Sequence, residues 1–268
     1  MLCPPTYFEV SYSINPWMDP TQPVDSRRAV QQWSVLVAAY RALGHRVDLL
    51  DPVPDLPDLV FAANGATVVD GRVLAARFAN AQRSGESAVH AAWHRSRGDH
   101  LAAPVAVNEA EGDFAVTSGR ILAGYGFRTT LDAHRELAAV TGREVLSLQL
   151  VNPQFYHLDV ALTVLDDTAD HIAYFPEAFS AASQALLCEL YPDALIATRA
   201  DAFAFGLNAV SDGRNVFIPA GAGHLVEQLT AAGYQPVEID LSELILGGGS
   251  VKCCTQEIRT RPTPEGPS

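Results

Sequence analysis

The sequence predicts an α/β repeat fold, of the propeller or solenoid type, built from about five copies of one unit. Each copy reads strand, tight turn, strand, amphipathic helix and strand. Polar side chains on apolar strands cost free energy unless they are paired or used, so the copies are predicted to share one central site. The polar or reactive residues that recur near the start of each copy are Asn64, Glu111 with Asp113, His157 with Asp159, Asn208 and Cys253.

Five helices followed by short apolar strands support this unit. Apolar residues recur at helical spacing, and a glycine or another turn residue follows each run. The predicted helices span residues 26–43, 86–97, 130–140, 178–190 and 225–232.

Tight turns separate the paired strands. Asp70-Gly71 and Asp212-Gly213 are strong hairpin signals, Ser118-Gly119 is a weaker one, and residues 166–170 form a longer polar turn. The last unit is predicted to be split. Its hairpin joins the C-terminal GSVKCCTQEIR to the N-terminal YFEVSYSIN, which closes a ring.

This pattern predicts one catalytic domain over residues 1–258 and a Pro-rich tail over 259–268 that is disordered and outside the fold. A doubly wound α/β sheet is the competing fold. It would need single strands alternating with helices, and the chain has neither of the glycine-rich phosphate-binding motifs, GxGxxG or GxxxxGK[ST].

Composition excludes several classes of partner. The 268 residues carry 18 Lys and Arg against 31 Asp and Glu, a net charge of −13. That balance disfavours nucleic acid and anionic membranes and suits a cationic small molecule. The sequence shows no secretory signal and no apolar run of about 18 residues, so a cytoplasmic protein is expected. Four cysteines without metal-ligand spacing predict neither a disulfide scaffold nor a metal site. The sequence leaves the oligomeric state open, with a homodimer as one option.

Cys253, in the run GGGSVKCC, is the first candidate for chemistry. A lone cysteine is usually a small buried hydrophobe. Here three preceding glycines allow close approach of the backbone to a ligand, and the adjacent Lys252 could stabilise a thiolate. In a strand, however, Lys252 and Cys254 would both face away from Cys253.

His157 and Asp159 form the second candidate. Residues i and i+2 of a strand share a face, so the imidazole and the carboxylate would point into the same space. They are either a hydrogen-bonded surface pair or an acid/base with a cation-binding carboxylate.

Glu111 and Asp113 repeat that spacing. Together with Asp159 they would make an anionic pocket, which suits a planar guanidinium group. Asn64 and Asn208 would add neutral amide partners, or they serve only turns and backbone contacts.

Taken together, the runs FAAN, EGD, FYHLD and GGGSVKCC resemble the guanidino-group-modifying enzymes. These are the amidinotransferases, arginine deiminases, dimethylarginine dimethylaminohydrolases (dimethylargininases) and arginine dihydrolases. The resemblance extends from INPWM at residues 14–18 to Cys253. It implies a five-bladed α/β propeller of ββαβ units and a cofactor-free hydrolase acting on the guanidino group of a free arginine-type substrate.

The resemblance also implies a role for each candidate. Cys253 would attack the guanidinium carbon, His157 would be the general acid/base, and Glu111 would orient His157 or hold the substrate. The substrate-binding residues that the resemblance implies are Asn64 and Asp159 at the guanidinium, Arg83 and Arg128 at the α-carboxylate, and Asn15 in the lid INPWMDP. Asp113 and Asn208, expected from the anionic pocket and its amide partners, complete the predicted set.

The length of the chain and its Cys-Cys pair most resemble dimethylargininases, which makes methylated arginine the leading substrate. Position 64 departs from them, because Asn64 stands where dimethylargininases and deiminases commonly have Asp and so resembles the arginine dihydrolases. A dihydrolase or deiminase acting on L-arginine is therefore the second hypothesis, and an amidinotransferase the third. A non-catalytic arginine-binding module would not need both Cys253 and His157, and a zinc or redox protein would need ligand spacing that is missing.

Overall fold

The computed structural model describes residues 1–259, so the predicted tail 259–268 lies outside the described residues except for Arg259. Twelve strands form four three-stranded sheets. The strands are β1 (Ala66–Val69), β2 (Arg72–Ala75), β3 (His100–Ala102), β4 (Phe114–Val116), β5 (Ile121–Tyr125), β6 (Val145–Gln149), β7 (Leu162–Asp166), β8 (His171–Tyr174), β9 (Leu195–Ile196), β10 (Val210–Ser211), β11 (Asn215–Pro219) and β12 (Gln235–Ile239).

The four sheets repeat one arrangement. In each, the first two strands form an antiparallel hairpin, and the third pairs in parallel with the second after a helical connection. The α/β repeat of strand, turn, strand, helix and strand is therefore confirmed for these four units. The helices are α1 (Ser26–Ala42), α2 (Glu86–Ser96), α3 (Leu131–Thr141), α4 (Ala181–Leu190), α5 (Arg199–Phe203), α6 (Gly223–Ala231) and α7 (Ser242–Ile245).

The first hairpin shows why the sequence signals worked. Asp70 and Gly71 have φ values of +51° and +75°, the left-handed pair that a tight two-residue turn requires. The turn fixes the register, so that Val69 faces Arg72 and Ala66 faces Ala75.

The predicted terminal hairpin is wrong. Residues 250–258 contain no strand, because their backbone closes on itself in turns. The amide of Cys254 donates to the carbonyl of Ser250, and the amide of Thr255 donates to that of Lys252. The described ends of the chain nevertheless meet, since Met1 and Gln256 exchange two hydrogen bonds of 2.7 and 3.0 Å.

A parallel bridge between Leu2 and Leu49 takes the place of a fifth set of strands. Residues 45–50 follow the first helix, where the repeat predicts a strand, and they form only this bridge.

Asn64, Glu111 and Asp159 lie in short 3₁₀ turns, not on strands as predicted, and Asp113 and His157 flank two of these turns. The turns span Ala62–Asn64, Ala110–Gly112 and Leu158–Val160, and each precedes the first strand of its sheet. Each closes with an i to i+3 backbone bond, the spacing of a 3₁₀ turn. The second turn contacts both of the others, so the side chains they carry converge on one place.

Apolar packing holds the turns in position. The largest buried cluster joins Phe155 and Leu158 to Phe179 and Phe205, and a second cluster buries one face of α1 through Trp33. Each such side chain stabilises the fold by about 1.5–3 kcal/mol. No helix within residues 1–259 is long and apolar enough to cross a bilayer.

Candidate active site

Cys253 lies in a turn after the glycine run, and only 2% of it is exposed. A side chain at Gly249 would begin 2.5 Å from the ring of Phe61 and 2.9 Å from Cβ of Cys253, so this approach requires glycine. The Cys253 thiol donates to Oδ2 of Asp159 at 3.1 Å, and Nδ2 of Asn208 donates to Sγ at 3.1 Å. Two of the predicted site residues therefore contact the sulfur directly.

Burial sets the protonation of this pair. It raises the pKa of the Cys253 thiol well above its usual value, and the neighbouring Asp159 carboxylate raises it further. Burial likewise raises the pKa of Asp159 to about 7, against the opposing hydrogen bond from Cys253. The thiol is therefore protonated in the free protein and becomes a nucleophile only when its proton is taken up.

His157 is oriented by a glutamate. Its Nε2 lies 2.7 Å from Oε2 of Glu109, and both side chains are buried. Burial alone would raise the pKa of Glu109, but the hydrogen bond and charge of His157, together with Arg128, hold that pKa well below its usual range. Because an ionised carboxylate only accepts hydrogen bonds, the imidazole proton lies on Nε2.

The other imidazole nitrogen is left for chemistry. Nδ1 of His157 has no hydrogen-bond partner among residues 1–259. It lies over Gly112, where an added Cβ would be 3.2 Å from Nδ1 and 2.2 Å from Nδ2 of Asn64. Glycine is needed here because the Asn64 amide occupies that position beside the imidazole. Nδ1, which has no partner among the described residues, is left to exchange protons with a bound molecule.

The prediction that Glu111 orients His157 is wrong. Both oxygens of Glu111 face the opposite way, to Nζ of Lys252 at 2.6 Å and to Nη1 of Arg259 at 3.0 Å. The same cation groups also pair with Glu257, at 2.9 and 2.6 Å. We call Glu111, Lys252, Glu257 and Arg259 the ion-pair cluster, and Cys253, Asp159, His157 and Glu109 the thiol cluster.

A backbone kink separates the two glutamates. Ala110, between them, has a φ of +50°, in the left-handed region that alanine rarely occupies. Glu109 and Glu111 consequently point to different clusters, although strand spacing would have put them on one face.

Asn64 is held by two partners. Nη1 of Arg83 donates to its Oδ1 at 2.8 Å, and its Nδ2 donates to the carbonyl of Glu109 at 3.1 Å. Arg83 itself is buried and makes further hydrogen bonds to Glu86 and to the carbonyl of Asp58. In this structure Arg83, predicted to bind a substrate carboxylate, instead fixes Asn64.

Arg128 and Asn15 lie at the edge of the site. Nη1 of Arg128 pairs with Glu109 at 2.9 Å, its Nη2 donates to the carbonyl of Ile14, and its guanidinium lies 4.8 Å from the ring centroid of Tyr156. Asn15 donates to Tyr156 and to the carbonyl of Gly247. The segment predicted as a lid therefore reaches the thiol cluster through Arg128, which pairs with Glu109, and through Tyr156, which precedes His157.

Asp113 lies beside His157. Its Oδ1 accepts a hydrogen bond of 3.1 Å from the amide of Leu158, and burial raises its pKa to about 6. It thus braces the turn that carries Asp159, in addition to adding charge.

The site brings together nine of the ten predicted residues and leaves out Glu111. Sequence reasoning missed Glu109, which appears only as part of an acidic run, although its position two residues before Glu111 made it an alternative. It also missed the buried partners Asp58, Glu86 and Tyr156. Glu86 had a detectable signal, because it follows Arg83 by three residues at a helix start. The described residues contain no group of three or more His, Cys, Asp or Glu placed to hold a metal ion.

Comparison with known proteins gives the wider context. No model of a protein family matches the chain. The N(G),N(G)-dimethylarginine dimethylaminohydrolase of Mycobacterium tuberculosis H37Rv is 53% identical over 257 residues, which cover 96% of this chain and 84% of that protein. The bifunctional arginine dihydrolase/ornithine cyclodeaminase AgrE of Nostoc sp. PCC 7120 is 36% identical over 267 residues, covering 96% of this chain but 37% of AgrE.

Solved structures of related proteins also resemble the chain. The N-terminal domain of ArgZ, a cyanobacterial arginine dihydrolase crystallised as a cysteine-to-serine mutant with its substrate, superposes with a TM-score of 0.92 at 32% identity and covers 97% of both chains. The dimethylarginine dimethylaminohydrolase of Pseudomonas aeruginosa, bound to citrulline, shares the fold at 18% identity with a TM-score of 0.79. The chain therefore belongs to the guanidino-group-modifying enzymes of the amidinotransferase superfamily, the group that contains the dimethylarginine dimethylaminohydrolases and arginine dihydrolases.

Proposed function

We propose that this protein is a cofactor-free dimethylargininase, which hydrolyses N(G),N(G)-dimethylarginine to citrulline and dimethylamine. The observation that carries the proposal is the thiol cluster, in which the Cys253 thiol, the Asp159 carboxyl and the His157–Glu109 pair meet in one buried site. The 53% identity to the M. tuberculosis dimethylarginine dimethylaminohydrolase supports the choice of substrate.

The first half of the reaction forms a bond to sulfur. A guanidinium group entering the site replaces the thiol as the hydrogen-bond partner of Asp159, and its charge favours the thiolate. The thiol proton passes to His157, Sγ of Cys253 attacks the guanidinium carbon, and His157 gives that proton to the departing nitrogen, so dimethylamine leaves. The product is a thiouronium joined to Cys253.

The second half breaks that bond. His157, now able to accept a proton, removes one from a water molecule that attacks the same carbon. The C–S bond breaks, the electron pair returns to sulfur, and the carbon keeps the water oxygen as the ureido group of citrulline. Glu109 stabilises the imidazolium that forms in this step.

Substrate contacts follow from the same geometry. We assign the guanidinium to Asp159 and Asp113, whose pKa values are raised because burial disfavours their ionised forms, an effect that a bound cation would offset. Arg128 and Asn15, at the edge of the cluster, are placed to meet the amino-acid end of the substrate. We also infer that the four sheets and the Leu2–Leu49 bridge form a five-bladed propeller around this site, with residues 1–258 as one domain.

A second function has its own support. Asn64 lies at the site, and the arginine dihydrolases AgrE and ArgZ are 36% and 34% identical to the chain. A neutral amide beside the imidazole of His157 suits the oxygen of a ureido group, as a second hydrolysis would require.

Product analysis separates the two functions. The purified protein is incubated with asymmetric dimethylarginine and, separately, with L-arginine, and citrulline, ornithine, ammonia and dimethylamine are quantified. Citrulline and dimethylamine from the methylated substrate are expected. Ornithine and ammonia from arginine, with no turnover of dimethylarginine, would overturn the proposal in favour of a dihydrolase. Cys253→Ser is the control and is expected to be inactive with either substrate.

A further inference from the structure

Asn208 is fully buried, and its side chain connects three parts of the site. Its Oδ1 accepts hydrogen bonds from the amides of Ser250 and Cys253, at 3.1 and 3.2 Å. Its Nδ2 donates to the carbonyl of Asp159 and to Sγ of Cys253, both at 3.1 Å. Sequence analysis predicted a substrate contact, but these four bonds use the full hydrogen-bonding capacity of the amide.

The orientation of this amide is dictated by its partners. Two backbone amides can only donate, so they must face the oxygen of Asn208. A backbone carbonyl can only accept, so it must face the nitrogen. The second hydrogen on that nitrogen consequently points at the Cys253 sulfur.

The backbone of Asn208 adds to this connection. Its carbonyl accepts from the amide of Lys252 at 3.1 Å, and its own amide donates to Phe205 at 2.8 Å. Phe205 has a φ of +60°, which turns the chain so that Asn208 faces the nucleophile. Asn208 thus fixes the loop that carries Cys253 to the turn that carries Asp159.

We propose that Asn208 is a further catalytic residue, whose amide N–H stabilises the Cys253 thiolate while its carbonyl oxygen positions the loop that carries the thiol. This proposal rests on Cys253 being the nucleophile of the proposed function. The apolar cluster that contains Cys253 also includes Phe8, Phe61 and Val251. Their side chains cannot donate a hydrogen bond to a sulfur anion. An N–H donor aimed at sulfur favours the anion over the thiol, and this contribution is needed most before the leaving group departs.

The test separates donation from anchoring by alkylating Cys253 with iodoacetamide in the absence of substrate. All proteins carry Cys188→Ser, which removes the exposed thiol, and the Cys253 peptide is followed by mass spectrometry. Asn208→Asp keeps an oxygen for the two loop amides but loses the N–H donor. Asn208→Ala removes both the oxygen that accepts from the loop amides and the N–H donor. Asn108→Asp is the matched control, because Asn108 is equally buried and bonds only to backbone groups of its own region.

If the donor stabilises the thiolate, both Asn208 variants alkylate about three- to tenfold more slowly than wild type at a fixed pH near neutrality. The range follows from a rise of about one pKa unit, partly offset by the greater nucleophilicity of a more basic thiol. The Asn108→Asp control is expected to react at the wild-type rate.

A wild-type rate in Asn208→Asp would overturn the proposal and leave Asn208 an anchor alone. If that variant does not fold, Asn208→Ala decides: a slower reaction supports the proposal, and an unchanged or faster one overturns it. Alkylation needs no turnover, so its outcome is independent of whether dimethylarginine proves to be the substrate.

Discussion

The thiol cluster and the ion-pair cluster divide neighbouring residues of the same two loops between them, and the thiol cluster adds His157 and Asp159 from a third turn. Glu109 belongs to the first and Glu111 to the second, and Cys253 and Lys252 are divided in the same way. In the ion-pair cluster each carboxylate oxygen of Glu111 meets a cation. In the thiol cluster, burial raises the pKa of Asp159 to about 7 and Nδ1 of His157 has no partner among the described residues.

The contrast shows how to distinguish a structural group of charges from a reactive one. Full pairing stabilises fixed charges, and it holds the pKa of Glu257 down to about 2, where Arg259 and Lys252 overcome the effect of burial. Unpaired atoms and raised acid pKa values mark a site that waits for a charged ligand. The ion-pair cluster therefore supports the fold behind the site, and the thiol cluster carries the chemistry.

Neutralising one glutamate at a time tests whether the two clusters have separate roles. Glu109→Gln is expected to lower kcat about 10²–10⁴-fold, because His157 loses the partner that fixes its tautomer and stabilises its charged form. Glu111→Gln, in the fraction of protein that stays folded, should keep activity within a few-fold of wild type. Steady-state kinetics on dimethylarginine measures both, and equal losses would show that the two clusters are not separate.

The free energy of unfolding should depend strongly on Glu111, in contrast to the activity. Glu111→Gln leaves the two cations, Lys252 and Arg259, with Glu257 as their one shared carboxylate, and it is expected to cost up to about 3–5 kcal/mol in the free energy of unfolding. Adding Lys252→Met to Glu111→Gln should cost less than the sum of the single changes, because one of these two cations is removed. Urea unfolding of the two single variants and the double variant gives the coupling energy, and strict additivity would contradict the pairing.

The raised pKa of Asp159 predicts a pH-dependent stability difference. The unfolded chain releases this proton near pH 4 but the folded protein only near pH 7, so the contribution of Asp159 to stability is complete below about pH 4 and is lost as the pH rises to about 7. Asp159→Asn does not titrate. The stability of Asp159→Asn relative to wild type should therefore rise by about 2–4 kcal/mol across that window. Urea unfolding at several pH values tests this, and a difference that stays flat would show that Asp159 is ionised throughout.

Cys254 provides the smallest expected effect. It is fully buried in apolar surroundings, so Cys254→Ser should cost about 1–3 kcal/mol of stability while most of the activity remains. Thermal unfolding and kinetics measure the two quantities. Loss of activity equal to that of Cys253→Ser would mean that the two sulfurs work as a pair.

Local patterns predicted the helices and hairpins well. The helix predicted over 26–43 is found as Ser26–Ala42 and that over 86–97 as Glu86–Ser96, because apolar spacing and a following glycine act within a few residues. The Asp70-Gly71 turn is predictable for the same reason, since its two left-handed residues are set by residue type alone.

The sequence predictions failed where a single backbone angle or a contact with a distant residue determines the structure. The choice of Glu111 over Glu109 depended on strand geometry, and the φ of Ala110 removes that geometry. Residues 250–258 were predicted to contain a strand, but they form tight turns in which the adjacent Lys252 and Cys253 serve different clusters. The buried partners of Arg83 include Asp58, which lies 25 positions away, beyond the reach of sequence spacing.

The proposed mechanism depends on a covalent bond between Cys253 and the substrate. The most direct measurement mixes wild-type protein with asymmetric dimethylarginine, quenches the mixture with acid during turnover, and maps the peptides by mass spectrometry. The peptide that contains Cys253 is predicted to carry the mass of the substrate less dimethylamine, and Cys253→Ser should show neither adduct nor product. Turnover by Cys253→Ser, or an adduct on another cysteine, would contradict the role of Cys253 as the nucleophile.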